Sequence, residues 1–429
     1  MEEQRERQYL ELLKAKLKVA IGCTEPIAIA LATATAMAHS RGKTIRSLRI
    51  TASGNIIKNA MAVTIPGTQD SGILLAAALG LLSAEDAALG LEVLRGVDEK
   101  RLEEAKGLVA MGVISLGLAD VPEKLYIQVL LQTELDLVEV RIEKEHANIT
   151  SIQVDGKEIL SQAGMVEQPS GEPLFQDITL EGALRFVGEV DLEKLSWIRE
   201  SIRLNRSIGE EGLKNPYGLE VGRSRRKRID QGVLGKDILN QAVALTAAGT
   251  DARMSGALYA VMSNSGSGNQ GITATLPVLA VADLMDLGEE ETIRGVALSN
   301  LVAILVKKDF GVLSALCGAT VAATGAACGI VYLLGGGLPE MEMAIKNMLG
   351  NVAGIFCDGA KPGCALKVGT VTAGAVNAAL MAMDGLYVGG SEGIVADSAE
   401  DSIANFCRIS REASLPLDQL ILDIMVKKA

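Results

Sequence analysis

Histidine is nearly missing from this chain: His39 and His146 are the only two among 429 residues. Zinc centres built on several histidines and Ser-His-Asp systems need more imidazole than that. A bound metal must therefore rest on cysteines or carboxylates. Aromatic residues make up 3% of the chain, while glycine counts 46, so small side chains must do much of the packing. Positive charge is in deficit: 41 Lys and Arg against 53 Asp and Glu leave a net charge of −12. An acidic surface repels phosphate backbones, and no nucleic-acid partner is expected. The segment Met1 to Lys18 is rich in Glu, Arg and Lys and has no apolar stretch. A secretory leader is therefore not expected, and the six cysteines read as reduced thiols of a cytoplasmic protein.

The length allows one large domain or two to three ordinary ones. Mean hydropathy is +0.28, and residues 311–339 carry no charge. That run is long enough to span a membrane. Gly, Ala, Ser, Thr and Cys dominate it, with Tyr332 as the only aromatic, so it reads as a helix buried in a soluble core. No membrane partner is expected.

Leu10, Leu13, Leu17 and Ala20 recur at helical spacing and predict an amphipathic helix over 5–20. Gly22 stops it. Thr24-Glu25-Pro26 reads as a second helix start, with Thr24 as cap, running to about Ser40. Cys23 then sits at a helix N-terminus, where the dipole lowers a thiol pKa. Strand alternation follows in Leu48 and Ile50 and in Val138, Val140 and Ile142. Ile152, Val154 and Ile159 flank the hairpin signal Asp155-Gly156. Helical stretches near 71–82 and 98–118 lie between. Residues 164–173 read as a linker, and beyond 181 strand signals nearly vanish. The expected fold class is α+β. A largely helical domain of 1–40 and 165–429 would carry an inserted, smaller sheet domain of 41–164.

Gly266-Ser267-Gly268-Asn269-Gln270-Gly271 matches a dinucleotide fingerprint, but no βαβ alternation surrounds it. It reads better as a polar loop, Ser263 to Gly271, entering a helix whose first amides suit a carboxylate. A plain tight turn between elements explains it equally well. Arg41-Gly42-Lys43-Thr44 lacks the upstream glycine of a phosphate loop, because Met37 stands there. The basic run Arg223 to Arg228 reads as a solvated helix face. Cys357 and Cys364 bracket a short loop whose Gly359, Pro362 and Gly363 let it fold tightly and offer both sulfurs to one centre. Cys317 lies forty residues upstream. Thiolates in a reduced compartment suit zinc or an iron–sulfur centre. Cys328 and Cys407 read as small buried hydrophobes.

Five motifs occur together and in order: Gly22-Cys23-Thr24-Glu25-Pro26, Ser53 to Asn59, the Ser263–Gly271 loop, Leu316-Cys317-Gly318-Ala319, and Cys357 to Lys367. As a set they resemble the L-cysteine desulfidase family, relatives of the iron–sulfur L-serine dehydratase α chain. The resemblance spans essentially the whole chain. It implies a 4Fe–4S cluster on Cys317, Cys357 and Cys364 with one open iron, expected to be lost in air. It implies β-elimination of L-cysteine to pyruvate, ammonia and hydrogen sulfide, with Cys23 as the base. The substrate carboxylate would lie on Ser263, Asn264, Ser265, Gly266, Ser267, Gly268 and Asn269. Asn55, Lys58, Lys361 and Lys367 are further orienting candidates. L-serine is the alternative substrate. The rivals are a pyridoxal-phosphate lyase, a non-enzymatic cluster-bearing sensor and a membrane transporter. The sequence leaves the oligomeric state open, although Ala/Gly-rich helices suit packing across subunits.

Overall fold

The computed structural model describes residues 2–161, 178–311 and 314–427, so the linker expected at 164–173 lies outside the described residues. The N-terminal elements are α1 (Glu3–Lys16), β1 (Leu17–Ile21) and α2 (Thr24–His39). Next come β2 (Ile45–Ala52), α3 (Gly54–Ala60), α4 (Ile73–Leu82), a 3₁₀ turn (Ala84–Glu92) and α5 (Glu99–Ala110). The strands β3 (Ile114–Leu118), β4 (Tyr126–Thr133), β5 (Leu137–Glu143), β6 (Ile149–Val154) and β7 (Lys157–Ser161) complete the first part. After the break come α6 (Leu180–Glu189), a short 3₁₀ turn, α7 (Ser196–Lys214), α8 (Val221–Asp230), α9 (Ile238–Met254) and β8 (Ala260–Asn264). The chain ends in α10 (Gly268–Leu284), α11 (Glu289–Phe310), α12 (Gly318–Leu333), α13 (Leu338–Val352), α14 (Cys364–Met383), α15 (Ala399–Glu412) and α16 (Ser414–Val426).

The fold is α+β. A six-stranded sheet has the order β3-β2-β4-β5-β6-β7, with β2 and β3 parallel and every other pair antiparallel. A parallel neighbour needs a long crossover, and the helices between β2 and β3 supply it. Leu48, Ile50 and Ala52 on β2, and Val138, Val140 and Ile142 on β5, turn one face into a fully buried layer. Burying each large aliphatic contributes about 1.5–3 kcal/mol relative to exposure. Asp155 and Gly156 both take positive φ, 50° and 76°, at the β6–β7 turn, as the Asp-Gly signal predicts.

Four local expectations change. The first helix stops at Lys16, because Leu17–Ile21 pairs antiparallel with β8 in a separate two-stranded ribbon. The stretch 98–118 is a helix only to Ala110; Gly112 turns the chain at φ 68° and Ile114–Leu118 joins the sheet. The second helix is capped by Cys23, and Thr24 is its first residue. That helix, placed with the helical part when reading the sequence as 1–40 plus 165–429, packs its Ile27, Ile29 and Leu31 into the sheet's core instead. Local pattern identifies such an all-apolar helix as buried but not against what.

The larger core is helical. Here glycine lets helices touch backbone to backbone: a Cβ on Gly325 of α12 would lie 2.2 Å from the Ser299 carbonyl of α11. The uncharged run is therefore mainly α12, with nearly every residue buried. Among the described helices, α14 alone is long and apolar enough by composition to cross a membrane, and over half of it is buried in the fold. The basic run lies on α8, where Arg223 pairs with Glu220 at 2.5 Å and Arg225 bonds Asn240.

Asp136 ties the end of α2 to the β4–β5 turn. Its buried carboxylate accepts from Ser40 Oγ, Thr133 Oγ1 and the Arg41 amide, each at 2.6 Å. Burial opposes the charge, but the two hydroxyls, the amide and the Arg41 guanidinium outweigh it and hold the carboxyl well below its usual range. A depressed folded-state pKa stabilises above the unfolded value, about 3.9, and that contribution is lost as pH falls below it. Asp136→Asn should therefore destabilise the protein near neutral pH, with a difference from the parent that shrinks toward pH 3 in urea melts. A constant difference across that window would contradict the assignment.

Candidate active site

Two sequence-distant loops meet through a short antiparallel bridge, Leu316 to Phe356. On either side the amide of Cys317 donates to the Ile355 carbonyl at 2.7 Å, and that of Cys357 to the Ala315 carbonyl at 2.6 Å. This brings Cys317 and Cys357 side by side although forty residues separate them. Gly359, at φ 90°, then lets the chain turn toward Cys364, the first residue of α14. A Cβ on Gly359 would lie 2.1 Å from the Lys58 carbonyl, so only glycine fits. All three cysteines are free and half-buried.

The three thiols sense one another. Burial pushes Cys317 up to about 12, with Cys357 and Cys364 adding to it; burial likewise raises Cys364. Cysteine ligands bind as thiolates when a soft metal centre supplies the positive charge. Among the described residues no three His, Cys, Asp or Glu side chains converge closely enough for a single metal ion. A polynuclear cluster asks for wider spacing, since its ligands sit on different irons. Three cysteine sulfurs are a donor set that soft metal centres and iron–sulfur clusters take. Cations surround it. Lys307, pushed by burial down to about 8, has the thiols among its nearest charges. Lys367 bonds the Phe356 carbonyl at 2.8 Å and the Asp358 carboxylate.

Four helix N-termini converge here: those of α2, α10, α12 and α14. Cys23, the cap of α2, forms a small buried cluster with Val63 and Met254, against which Ala360 and Cys364 pack. Arg253, at the end of α9, links α2 to α10. Its Nη2 donates to the Gly22 carbonyl at 2.7 Å and its Nη1 to Asn269 Oδ1 at 3.2 Å. Gln270 lies against Gly318, beside Cys317: a Cβ there would be 2.9 Å from Gln270 Nε2. Arg253 Nε, Gln270 Oε1 and Asp251 Oδ1 are buried and have no hydrogen-bond partner among the described residues. Burial raises the Asp251 carboxyl to about 7 despite amides from Gly222, Val221 and Leu219. Helix N-termini plus a buried guanidinium make an anion site.

The polar loop contributes only at its end. Ser263 Oγ donates to the Lys18 carbonyl at 2.7 Å, Asn264 bonds Asn300, and Ser265 bonds Asn264. Ser267 caps α10. Ser265 and Gly266 shape the turn with positive φ, and Gly271 touches the Met262 carbonyl of β8, which accounts for the glycine spacing without a dinucleotide. Gly268 lies against Arg253, where a Cβ would meet Nε at 2.2 Å. Asn269, with its neighbour Gln270, therefore faces the site; Ser263, Asn264, Ser265 and Ser267 are spent inside the fold.

The lysines are similarly committed. Lys58, 2% exposed, donates to Asp418 of α16 at 2.5 Å and to the Cys357 carbonyl at 3.2 Å. Lys361 holds Asp358 at 2.5 Å and the Asp358 and Gly359 carbonyls at 3.1 Å. Both brace the cysteine loop rather than facing a substrate. Asn55 is half-buried on α3. Cys23 also departs from expectation. Its thiol is pushed well above the usual range by burial and by Glu25, which together outweigh Arg253 and the helix start. Sequence reading missed Arg253, Gln270, Glu25, His146, Lys307 and Asp418. The Gly22-Cys23-Thr24-Glu25-Pro26 motif contained Glu25 and the Ser263–Gly271 loop contained Gln270, but nothing local pointed to the others.

A family model described as serine dehydratase alpha chain matches residues 88–423 of this chain. A "UPF0597 protein" of Oleidesulfovibrio alaskensis is 41% identical over 428 residues, covering 98% of each chain. Proteins of the same designation from Photobacterium profundum and Clostridium perfringens are 41% and 40% identical, again over 98% of each chain.

Proposed function

This chain belongs to the serine dehydratase alpha-chain family, and from that premise we propose that it is a cytoplasmic carbon–sulfur lyase converting L-cysteine to pyruvate, ammonia and hydrogen sulfide. The observation that carries the reading is the convergence of Cys317, Cys357 and Cys364 with Cys23 and the Arg253 anion site at four helix N-termini. Cys317, Cys357 and Cys364 would hold a 4Fe–4S cluster. That cluster would supply Lewis acidity toward the leaving group at its open iron. Arg253, Asn269 and the first amides of α10 and α2 bind the substrate carboxylate and fix the Cα–H bond toward Cys23. Cys23 Sγ receives the α-proton. Val63, Met254 and Ala360 give that corner an apolar wall that excludes water and suits a thiol side chain. The aminoacrylate released by elimination hydrolyses through its imine to pyruvate and ammonia.

L-serine as substrate is the second reading, favoured by the family's own description. Pyruvate formation from each amino acid, with protein prepared without oxygen, tests both. The expected result is a higher kcat/KM for L-cysteine. Cys23→Ala should lower kcat by about 10²–10⁴-fold, the usual contribution of a proton-transfer group. A larger kcat/KM for L-serine would replace the first reading with the second. Activity undiminished in Cys23→Ala would remove that residue from the chemistry.

A further inference from the structure

Glu25 follows Cys23 by two residues, in the first turn of α2. The thiol of Cys23 donates to Glu25 Oε2 at 3.0 Å, and Thr24 Oγ1 reaches the same oxygen at 3.4 Å. The other oxygen, Oε1, accepts from Asn59 Nδ2 at 3.0 Å and lies 3.9 Å from His146 Nε2. The Glu25 side chain is 13% exposed. Asn59 comes from α3 and His146 from the turn between β5 and β6. Two elements of the sheet unit thus clamp one carboxylate behind the thiol, and one of the chain's two histidines is committed to it. A helix cap alone would not need this. Among the described residues Glu25 accepts from its own amide, a thiol and two side-chain donors and faces an imidazole.

We propose that Cys23 and Glu25 form a proton-relay pair, braced by Asn59 and His146, in which the carboxylate takes the thiol proton as the sulfur takes the substrate's α-proton. The inference rests on the lyase reading above. It resolves a difficulty in that reading, because a thiol that still holds its proton cannot accept another. The 3.0 Å hydrogen bond has Cys23 Sγ as donor and Glu25 Oε2 as acceptor, which places the proton on sulfur at rest. Burial would raise Glu25, but His146, the Cys23 thiol, its own amide and Arg253 hold it below the ordinary value, so it stays a carboxylate. The resting pair is therefore thiol and carboxylate.

The step balances. The Cα–H bond breaks and its electron pair forms the Cα=Cβ bond. The Cβ–S bond breaks, and its pair leaves on hydrosulfide. The α-proton goes to Cys23 Sγ, whose own proton goes to Glu25 Oε2. Cys23 Sγ then gives a proton to hydrosulfide and takes one back from Glu25 Oε2, giving hydrogen sulfide and restoring both thiol and carboxylate. No oxidant or reductant is involved. Glu25 acts through Cys23 and is a positioning and relay residue.

Glu25→Gln separates this from a standing-thiolate base. Removing the negative charge makes Cys23 easier to ionise. In metal-free protein, iodoacetamide should therefore label Cys23 faster in Glu25→Gln, as read by peptide mass spectrometry. If the relay operates, kcat nonetheless falls by about a hundredfold, the scale of a lost proton-transfer group, with KM changed by less than about threefold. Glu25→Asp should recover part of the loss. A kcat within about threefold of the parent, or above it, would show that the thiolate alone suffices and would overturn the relay. His146→Gln, in the turn between β5 and β6, covers the case in which Glu25→Gln does not fold. Lower kcat at unchanged KM supports the brace, and unchanged kcat overturns it. If the parent, loaded with iron and sulfide, forms no pyruvate from either amino acid, the lyase reading fails separately. The pair then rests on labelling, and an unaltered Cys23 rate in Glu25→Gln overturns it.

Discussion

Replacing Cys357 by alanine is expected to remove iron and acid-labile sulfide from protein prepared without oxygen, against about four of each per chain in the parent. Cys357 sits in the Leu316–Phe356 bridge, beside Cys317 and at the head of the loop leading to Cys364. Removing one of three ligands leaves two thiols whose unmetallated state is protonated; burial holds Cys317 near 12. Ligation must then overcome deprotonation with one fewer bond. Cys317→Ala and Cys364→Ala should behave alike. Cys328→Ala and Cys407→Ala should keep the cluster. Cys328 is wholly buried within α12, where its thiol reaches the Met341 carbonyl at 3.9 Å. Cys407 is buried on α15 and bonds the Val306 carbonyl at 3.4 Å. Iron retained in full by Cys357→Ala, or a parent that is active with no iron, would refute the assignment.

Lys58→Met should be strongly destabilising. The Lys58 side chain is 2% exposed and its partner Asp418 14% exposed. Replacing the lysine leaves a largely buried carboxylate without its cation, a change costing about 3–5 kcal/mol; the residual exposure of Asp418 points to the lower end. It also releases α16 from α3 and frees the Cys357 carbonyl, so the cysteine loop should bind iron less tightly in the folded fraction. The double variant Lys58→Met, Asp418→Leu should recover much of the stability, because no unpaired charge remains. Urea melts of the three proteins decide this. A double variant no more stable than Lys58→Met alone would mean that the lysine acts through packing and its carbonyl bond, with little from the ion pair.

Legibility followed the range of the interaction. Strand alternation in Val138, Val140 and Ile142 and the Asp155-Gly156 turn are local signals, and the sheet formed where they pointed. The strand Leu17–Ile21 was hidden because its partner, Ala260–Asn264, lies more than two hundred residues away. The same holds for polar side chains. Ser263 and Asn264 look like ligand-binding residues in sequence, yet Lys18 and Asn300 claim them. Arg253 carries no motif, and Gln270 sits in the glycine-rich loop with no role of its own readable there; their place beside Gly22 and Gly318 arises only from helix packing.

By itself the sequence determined the chemistry this chain can draw on. With two histidines, six cysteines and a net charge of −12, it limits metal ligation to thiols and carboxylates and disfavours nucleic acid. It also set the glycines that let helices and the Cys357–Cys364 loop close up. Only the tertiary structure decided which thiols meet and which lysines are spent on carboxylates. It also decided that Cys23 faces Glu25 and not open solvent. Ionisation and pairing depend on burial and on charges a few ångströms away, and those distances are set by residues far apart along the chain.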